Sequence, residues 1–164
     1  MNTRLSAKVA VVTGASKGLG AAIAHGLARE GESVVVNYAS SKGAADAVVA
    51  GIVGSGGKAI AVKADMRDPQ EVAALFAQTH HVYGRVDILV NNAGVYDFQP
   101  LENISIELFR RHMELNVFGY LLAIKEAVRY MPEGGSIVNM SSTVTLFGPQ
   151  NASVTPQAKG RSMA

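Results

Sequence analysis

The sequence predicts an α/β domain built on a parallel β-sheet, and two features carry that expectation. Short apolar runs recur at 9–12, 34–36, 59–62, 86–90 and 137–140, and segments of helical periodicity fill the intervals between them. That alternation is the pattern of repeated strand–helix–strand units. Glycines also close the helical segments, at Gly31, Gly54-Ser55-Gly56-Gly57, Gly84 and Gly134-Gly135, where a chain leaving a helix commonly turns left-handed.

Val9-Ala10-Val11-Val12 is apolar without alternation, as suits a strand covered on both faces. Leu19, Ala22, Ile23, Gly26 and Leu27 follow at helical spacing and predict a helix over 18–30. The valine run at 34–36 gives the second strand, 42–54 the second helix and 59–62 the third strand. Asp68-Pro69 then reads as a helix start, an acidic cap followed by proline in the first helical position, and opens a helix over 69–83. After the strand at 86–90 comes the longest helical pattern, 105–131. There Phe109, Met113, Val117, Tyr120, Ile124, Val128 and Met131 fall mostly on one face, with Asn116 the polar intruder. The run at 137–140 supplies the last strand. No separate domain, internal repeat or low-complexity linker interrupts 1–154, and 155–164 reads as an aberrant tail.

Composition narrows the function. With 48% hydrophobic and 17% charged residues the 164-residue chain can bury a substantial core as one domain. Its 15 basic and 13 acidic side chains are scattered, without the basic stripe or stacked aromatics of a nucleic-acid binder. There is no cysteine, hence no disulfide and no thiolate metal site. His80 and His81 are adjacent and point to different sides of a helix end, so no metal site is expected. No leader-like or membrane-spanning stretch stands out, and the expectation is a cytoplasmic protein without membrane or nucleic-acid partners.

Thr13-Gly14-Ala15-Ser16-Lys17-Gly18-Leu19-Gly20 lies between the first strand and the first helix. Glycines at such a turn let the backbone approach a pyrophosphate, and the unpaired N–H groups at the helix start favour its charge. The alternative is a glycine-rich turn with no ligand. An acidic residue at the end of the second strand would bind a ribose 2′-hydroxyl and repel a 2′-phosphate, but Asn37 and Tyr38 stand there. With Lys17 in the turn and Ser40, Ser41 and Lys42 close by, NADP(H) is expected over NAD(H). Asn116, on an otherwise apolar face, must find hydrogen-bond partners if buried.

The glycine turn, Asp65 after the third strand, Asn91-Asn92-Ala93-Gly94 after the fourth and Gly135-Ser136-Ile137-Val138-Asn139-Met140-Ser141-Ser142 at the fifth stand in the order of the short-chain dehydrogenase/reductase family. The chain resembles that family from residue 5 to about 154, in particular its 3-oxoacyl-carrier-protein reductase-like and glucose dehydrogenase-like members. The resemblance implies a Rossmann-type doubly wound sheet in the order 3-2-1-4-5, with the cofactor across the switch between strands 1 and 4. It implies a cofactor site at Gly14, Ser16, Lys17, Gly18, Leu19, Gly20, Asn37, Asp65, Met66, Asn92, Ala93 and Gly94, with Asp65 at the adenine. Asn91 would line the site wall, and Tyr96 could line a substrate pocket. The implied activity is hydride transfer between nicotinamide and a ketone or secondary alcohol, in an enzyme that is usually a homotetramer.

Within that resemblance Ser142 would hydrogen-bond the substrate carbonyl and Asn116 would anchor a water in the proton relay. The family's general-acid tyrosine falls at Thr155, and its lysine at Lys159. Threonine is too short and far too weak an acid to replace a phenol, so the chain is expected to be impaired. The family's last strands and substrate lid are not in the sequence, and Pro156 and Gly160 interrupt the helix the family starts here. A one-base frameshift beside the Val154 codon would restore a Tyr-x-x-x-Lys reading, which would make Lys159 coincidental; a divergent tail is the other reading. The second functional reading is a non-catalytic remnant that binds nucleotide. In that case the sheet edge at 137–140 and the apolar helix face would be partly uncovered.

Overall fold

Strand β1 (Val9–Val12) is buried at every residue and forms the middle of the sheet. It pairs in parallel with β2 (Ser33–Tyr38) on one side and with β4 (Ile88–Asn91) on the other, Val11 lying between Val35 and Leu89. The structure is a computed structural model that describes residues 8–147, 150, 151 and 154. Strand β3 (Lys58–Lys63) lies outside β2 and β5 (Ser136–Asn139) outside β4, giving a five-stranded parallel sheet in the order β3-β2-β1-β4-β5. The implied topology holds. The chain reverses its direction of winding at β1, so a crevice opens between the carboxyl ends of β1 and β4.

Both faces of the inner strands are covered, which is why β1, β2 and β4 read as apolar runs. Helices α1 (Gly18–Arg29) and α2 (Lys42–Gly54) cover one face, burying Ala24, Ala28, Ala45, Val48 and Ile52 against Val12, Val34 and Val36. On the other face α3 (Pro69–Tyr83) packs Val72, Leu75 and Phe76 against Val11, Val35 and Leu89. Each large apolar side chain so buried contributes about 1.5–3 kcal/mol. Helix α3 starts as its sequence predicts: the Asp68 carboxylate accepts from Gln70 N–H at 2.7 Å and Glu71 N–H at 3.2 Å. It stops at Gly84, in the left-handed region at φ 79°, whose N–H donates to the His80 carbonyl.

The long helical segment departs from expectation. It is α4 (Ile106–Met113), a π-helical turn over Glu114–Phe118, and α5 (Gly119–Ala127). A π turn accommodates an extra residue and shifts the phase of the faces on either side of it. Asn116, Tyr120 and Ile124 therefore still point inward, whereas Phe109 and Val128, predicted on the same face, are exposed. The inward positions also include His112, Leu122, Ala123 and Ala127. Past Ala127 the bonds shorten to Arg129 N–H→Glu126 and Tyr130 N–H→Ala127, so the helix tightens and ends before residue 131. Short helical turns not foreseen from the sequence occur at Leu101–Asn103 and at α6 (Val144–Phe147).

The sheet edges differ in chemistry. Strand β3 carries an exposed lysine at each end, Lys58 and Lys63. Strand β5 carries no charge, and its Ile137 and Val138 are 36% and 44% exposed. Phe118 and Leu121 of the long helical segment are exposed as well.

Candidate active site

The floor of the crevice is a set of clamps on the turn after β1. Thr13 is fully buried, and its Oγ1 accepts from Asn92 N–H at 2.9 Å and Ala93 N–H at 3.0 Å. Asn92 Nδ2 donates to the carbonyls of Thr13 and Gly14 at 2.9 and 3.2 Å. From the other side Asn37 Oδ1 accepts from Gly14 N–H at 3.0 Å, while its Nδ2 donates to the Ala64 carbonyl at 3.0 Å and more weakly to Val62. One turn is thus fixed to the ends of β2, β3 and β4.

The glycines divide the work. Gly14 sits at φ 61°, and a Cβ there would lie 2.9 Å from Ala93 Cα. At Gly20 a Cβ would meet Asn92 Nδ2 at 2.5 Å and the Gly14 carbonyl at 2.7 Å, so Gly20 serves the packing of α1 against β4 and does not line the crevice. Gly18, at φ 58°, has nothing within 4 Å of a Cβ position and lines the open side.

The resulting cleft has a volume of ≈ 690 Å³. Gly14, Ser16, Lys17, Gly18, Leu19, Asn37, Asp65, Met66, Asn92, Ala93 and Gly94 all line it, so the sequence-derived cofactor residues come together apart from Gly20. Tyr96 lines it too and is largely exposed. The groups fit a dinucleotide. Helix α1 begins at the cleft with no side-chain cap and no acidic residue in its first turn, leaving orphan N–H groups and the positive end of the helix dipole for an anion. Lys17 is exposed beside them and makes no ion pair among the described residues.

Several expectations need correction. The Asn37 amide is spent on Gly14, Val62 and Ala64 and the residue is 1% exposed, while Ser40 and Ser41 line the cleft wall. Lys42 instead pairs with Asp46 at 2.6 Å, one helical turn on, and does not line the cleft. Asn91 is fully buried and donates from Nδ2 to Asn139 Oδ1 at 2.9 Å, tying β4 to β5 rather than walling the site. Asp65 lines the cleft, but Arg67 grips its carboxylate, with Nε 2.9 Å from Oδ1, and holds it below the usual carboxylate range.

Of the residues assigned to chemistry, Asn116 is fully buried and both ends of its amide engage the backbone of Val95. Ser142 lies past β5, outside the cleft lining, with its Oγ 3.4 Å from Val144 N–H and its carbonyl accepting from Thr145 Oγ1 at 2.7 Å. Thr155 and Lys159 lie outside the described residues. Tyr120 is placed for packing and not for acid chemistry: its hydroxyl donates to the Met140 carbonyl at 3.1 Å, and burial pushes its pKa up. Tyr130 stacks on His80 with ring centroids 4.9 Å apart, an ordinary packing role for both.

Sequence reasoning missed three residues. Thr13, inside the motif, holds the turn. Arg67 and Arg111 add cationic side chains to the cleft, the latter paired with Asp97 at 3.2 Å. Only the position of Arg67, two residues past Asp65, was a usable signal.

The chain matches the family described as short chain dehydrogenase over residues 8–160. It is 54% identical over 143 residues to an uncharacterized oxidoreductase of Methylorubrum extorquens, covering 87% of this chain and 58% of that protein. It is 44% identical over 160 residues to versicolorin reductase 1 of Aspergillus parasiticus, covering 97% of this chain and 61% of the relative. A short chain dehydrogenase from Burkholderia cenocepacia, solved in complex with NADP, superposes with a TM-score of 0.92 at 38% identity, over 96% of this chain and 65% of that one. The chain thus spans about three fifths of the length of these curated relatives. Its fold, the clamped glycine turn and these matches together place it in the short-chain dehydrogenase family of oxidoreductases.

Proposed function

We propose that this chain binds NADP(H) in the cleft at the carboxyl ends of β1 and β4, as the nucleotide-binding part of a cytoplasmic reductase of ketones or dehydrogenase of secondary alcohols. The observation that carries the reading is the uncapped start of α1 facing Lys17 and the open side of Gly18. Absence of an acid after β2, with Ser40 and Ser41 on the wall, favours the phosphorylated cofactor. The bound nicotinamide supplies or accepts the hydride.

The chain's own residues orient and hold. Gly14, Ser16, Gly18 and Leu19 present backbone to the pyrophosphate, and Asp65 and Met66 bound the adenine side. Asn92, Ala93 and Gly94 keep the crevice narrow. Ser142 is assigned to the substrate carbonyl. The amide of Asn116 is occupied by Val95, so a relay water would have to use its main-chain carbonyl. Titration calorimetry tests the cofactor reading: NADPH binds, and binds more tightly than NADH. Failure of both to bind rejects it.

A second reading rests on Thr155, where the resemblance places the phenol. Without that acid, and with Lys159 as the one family-position cation, the 164-residue chain binds nucleotide without turning over. Loss of reduced-nicotinamide absorbance with a panel of ketones distinguishes the two: steady oxidation of NADPH rejects the non-catalytic reading. A homotetramer, the family's usual assembly, belongs to the same proposal and is read by light scattering.

A further inference from the structure

We infer that Arg67 meets the adenine ring of the bound dinucleotide with the flat face and outer edge of its guanidinium and does not serve as a phosphate cation. The inference rests on the cofactor reading above.

Position is the first argument. The glycine turn at the start of α1 marks the pyrophosphate, and ribose discrimination in this fold lies at the end of the second strand, so the adenosine half extends toward β2 and β3. Arg67 lines the cleft at the end of β3.

Geometry is the second. Arg67 Nε lies 2.9 and 3.2 Å from the two Asp65 oxygens, Nη2 lies 2.5 Å from Oδ2, and the Arg67 N–H adds a bond of 3.0 Å to Oδ1. Asp65 is itself fixed, its N–H donating to Glu71 Oε2 at 2.7 Å. This fork orients the guanidinium plane before any ligand arrives and leaves Nη1 and both planar faces unused by Asp65. The Arg67 side chain is 48% exposed.

Charge is the third. Arg67 is compensated by Asp65 and also feels Glu114, both of which raise its proton affinity. A cation already so balanced offers little to a phosphate, but a flat guanidinium stacks well on an aromatic ring. Lys17 makes no such pair among the described residues. Asp65 is then a positioning residue that acts through Arg67.

Calorimetric titration of NADP+, NAD+ and ADP into the wild type, Arg67→Ala, Arg67→Lys and Lys17→Ala tests this, with thermal melts to confirm folding. Arg67→Ala and Arg67→Lys should each weaken all three ligands by a common factor of about three to ten, leaving the NADP+ to NAD+ ratio unchanged. Lys17→Ala should weaken NADP+ more than NAD+. A selective loss of NADP+ in Arg67→Ala would make Arg67 the phosphate ligand and overturn the assignment. So would unchanged or tighter binding, or full retention by Arg67→Lys. A wild-type protein that binds none of the three removes the cofactor reading, and this assignment with it.

Discussion

Asn116 and Val95 close a two-bond ring across the fold: Val95 N–H donates to Asn116 Oδ1 at 2.9 Å, and Asn116 Nδ2 donates to the Val95 carbonyl at 2.8 Å. The loop after β4 is thereby pinned to the π-helical turn. Asn116→Leu fills similar space but strands both Val95 groups, and should lower stability by about 2–4 kcal/mol. Urea unfolding measures the loss, and dinucleotide affinity should fall with it.

Thr13 offers a sharper pair of variants. Thr13→Val keeps the shape and removes the oxygen that receives the Asn92 and Ala93 N–H groups. It should cost about 2–4 kcal/mol and weaken NADPH. Thr13→Ser keeps the acceptor and should retain most of both, as read by denaturation and calorimetry.

Two glycines should respond in opposite directions. Gly20→Ala places a methyl against Asn92 Nδ2 and the Gly14 backbone, destabilising by about 1–3 kcal/mol through overpacking and disrupting the cleft. Gly43→Ala, in α2 with nothing within 4 Å of its new carbon, should gain about 0.5–1 kcal/mol. Thermal melts of the two proteins check the contrast.

Glu32 makes stability depend on pH. Both of its carboxylate oxygens are buried without a hydrogen-bond partner, and burial pushes its pKa up to about 7, with Lys8 opposing and Asp87 and Glu30 reinforcing the rise. The folded protein therefore holds more protons than the unfolded chain between the ordinary carboxylate value and about 7. Glu32's contribution to stability should be greatest below that window, decline as pH rises through it and level off above. Glu32→Gln should remove the decline and be the more stable protein at alkaline pH, as measured by urea midpoints across the range.

What could be read from the sequence was what local chemistry decides. The Asp68-Pro69 start and Gly84 stop of α3, and the parallel strands with β1 buried throughout, follow from neighbours along the chain. The family motifs gave the strand order and nearly all of the cleft. What could not be read depends on partners far away in sequence. The π turn at Glu114–Phe118 accompanies the bond from Asn116 back to Val95, and no periodicity announces it, so a regular helix would turn Phe109 and Val128 inward where the structure exposes them. Asn37 stands at the position that bears on cofactor choice, and its amide partners, Gly14 and Ala64, are met only on folding. Lys42 looked like a phosphate partner until Asp46, on the next turn, claimed it.

The contrast between the lysine-flanked β3 and the uncharged β5 gives the sheet a direction of growth. Lysines on an edge discourage another strand from pairing there, and a neutral edge does not. A fused peptide or appended strand would therefore register along Ser136–Asn139 and leave the opposite border bare, so a solubility tag would do most good if tethered to shield that side.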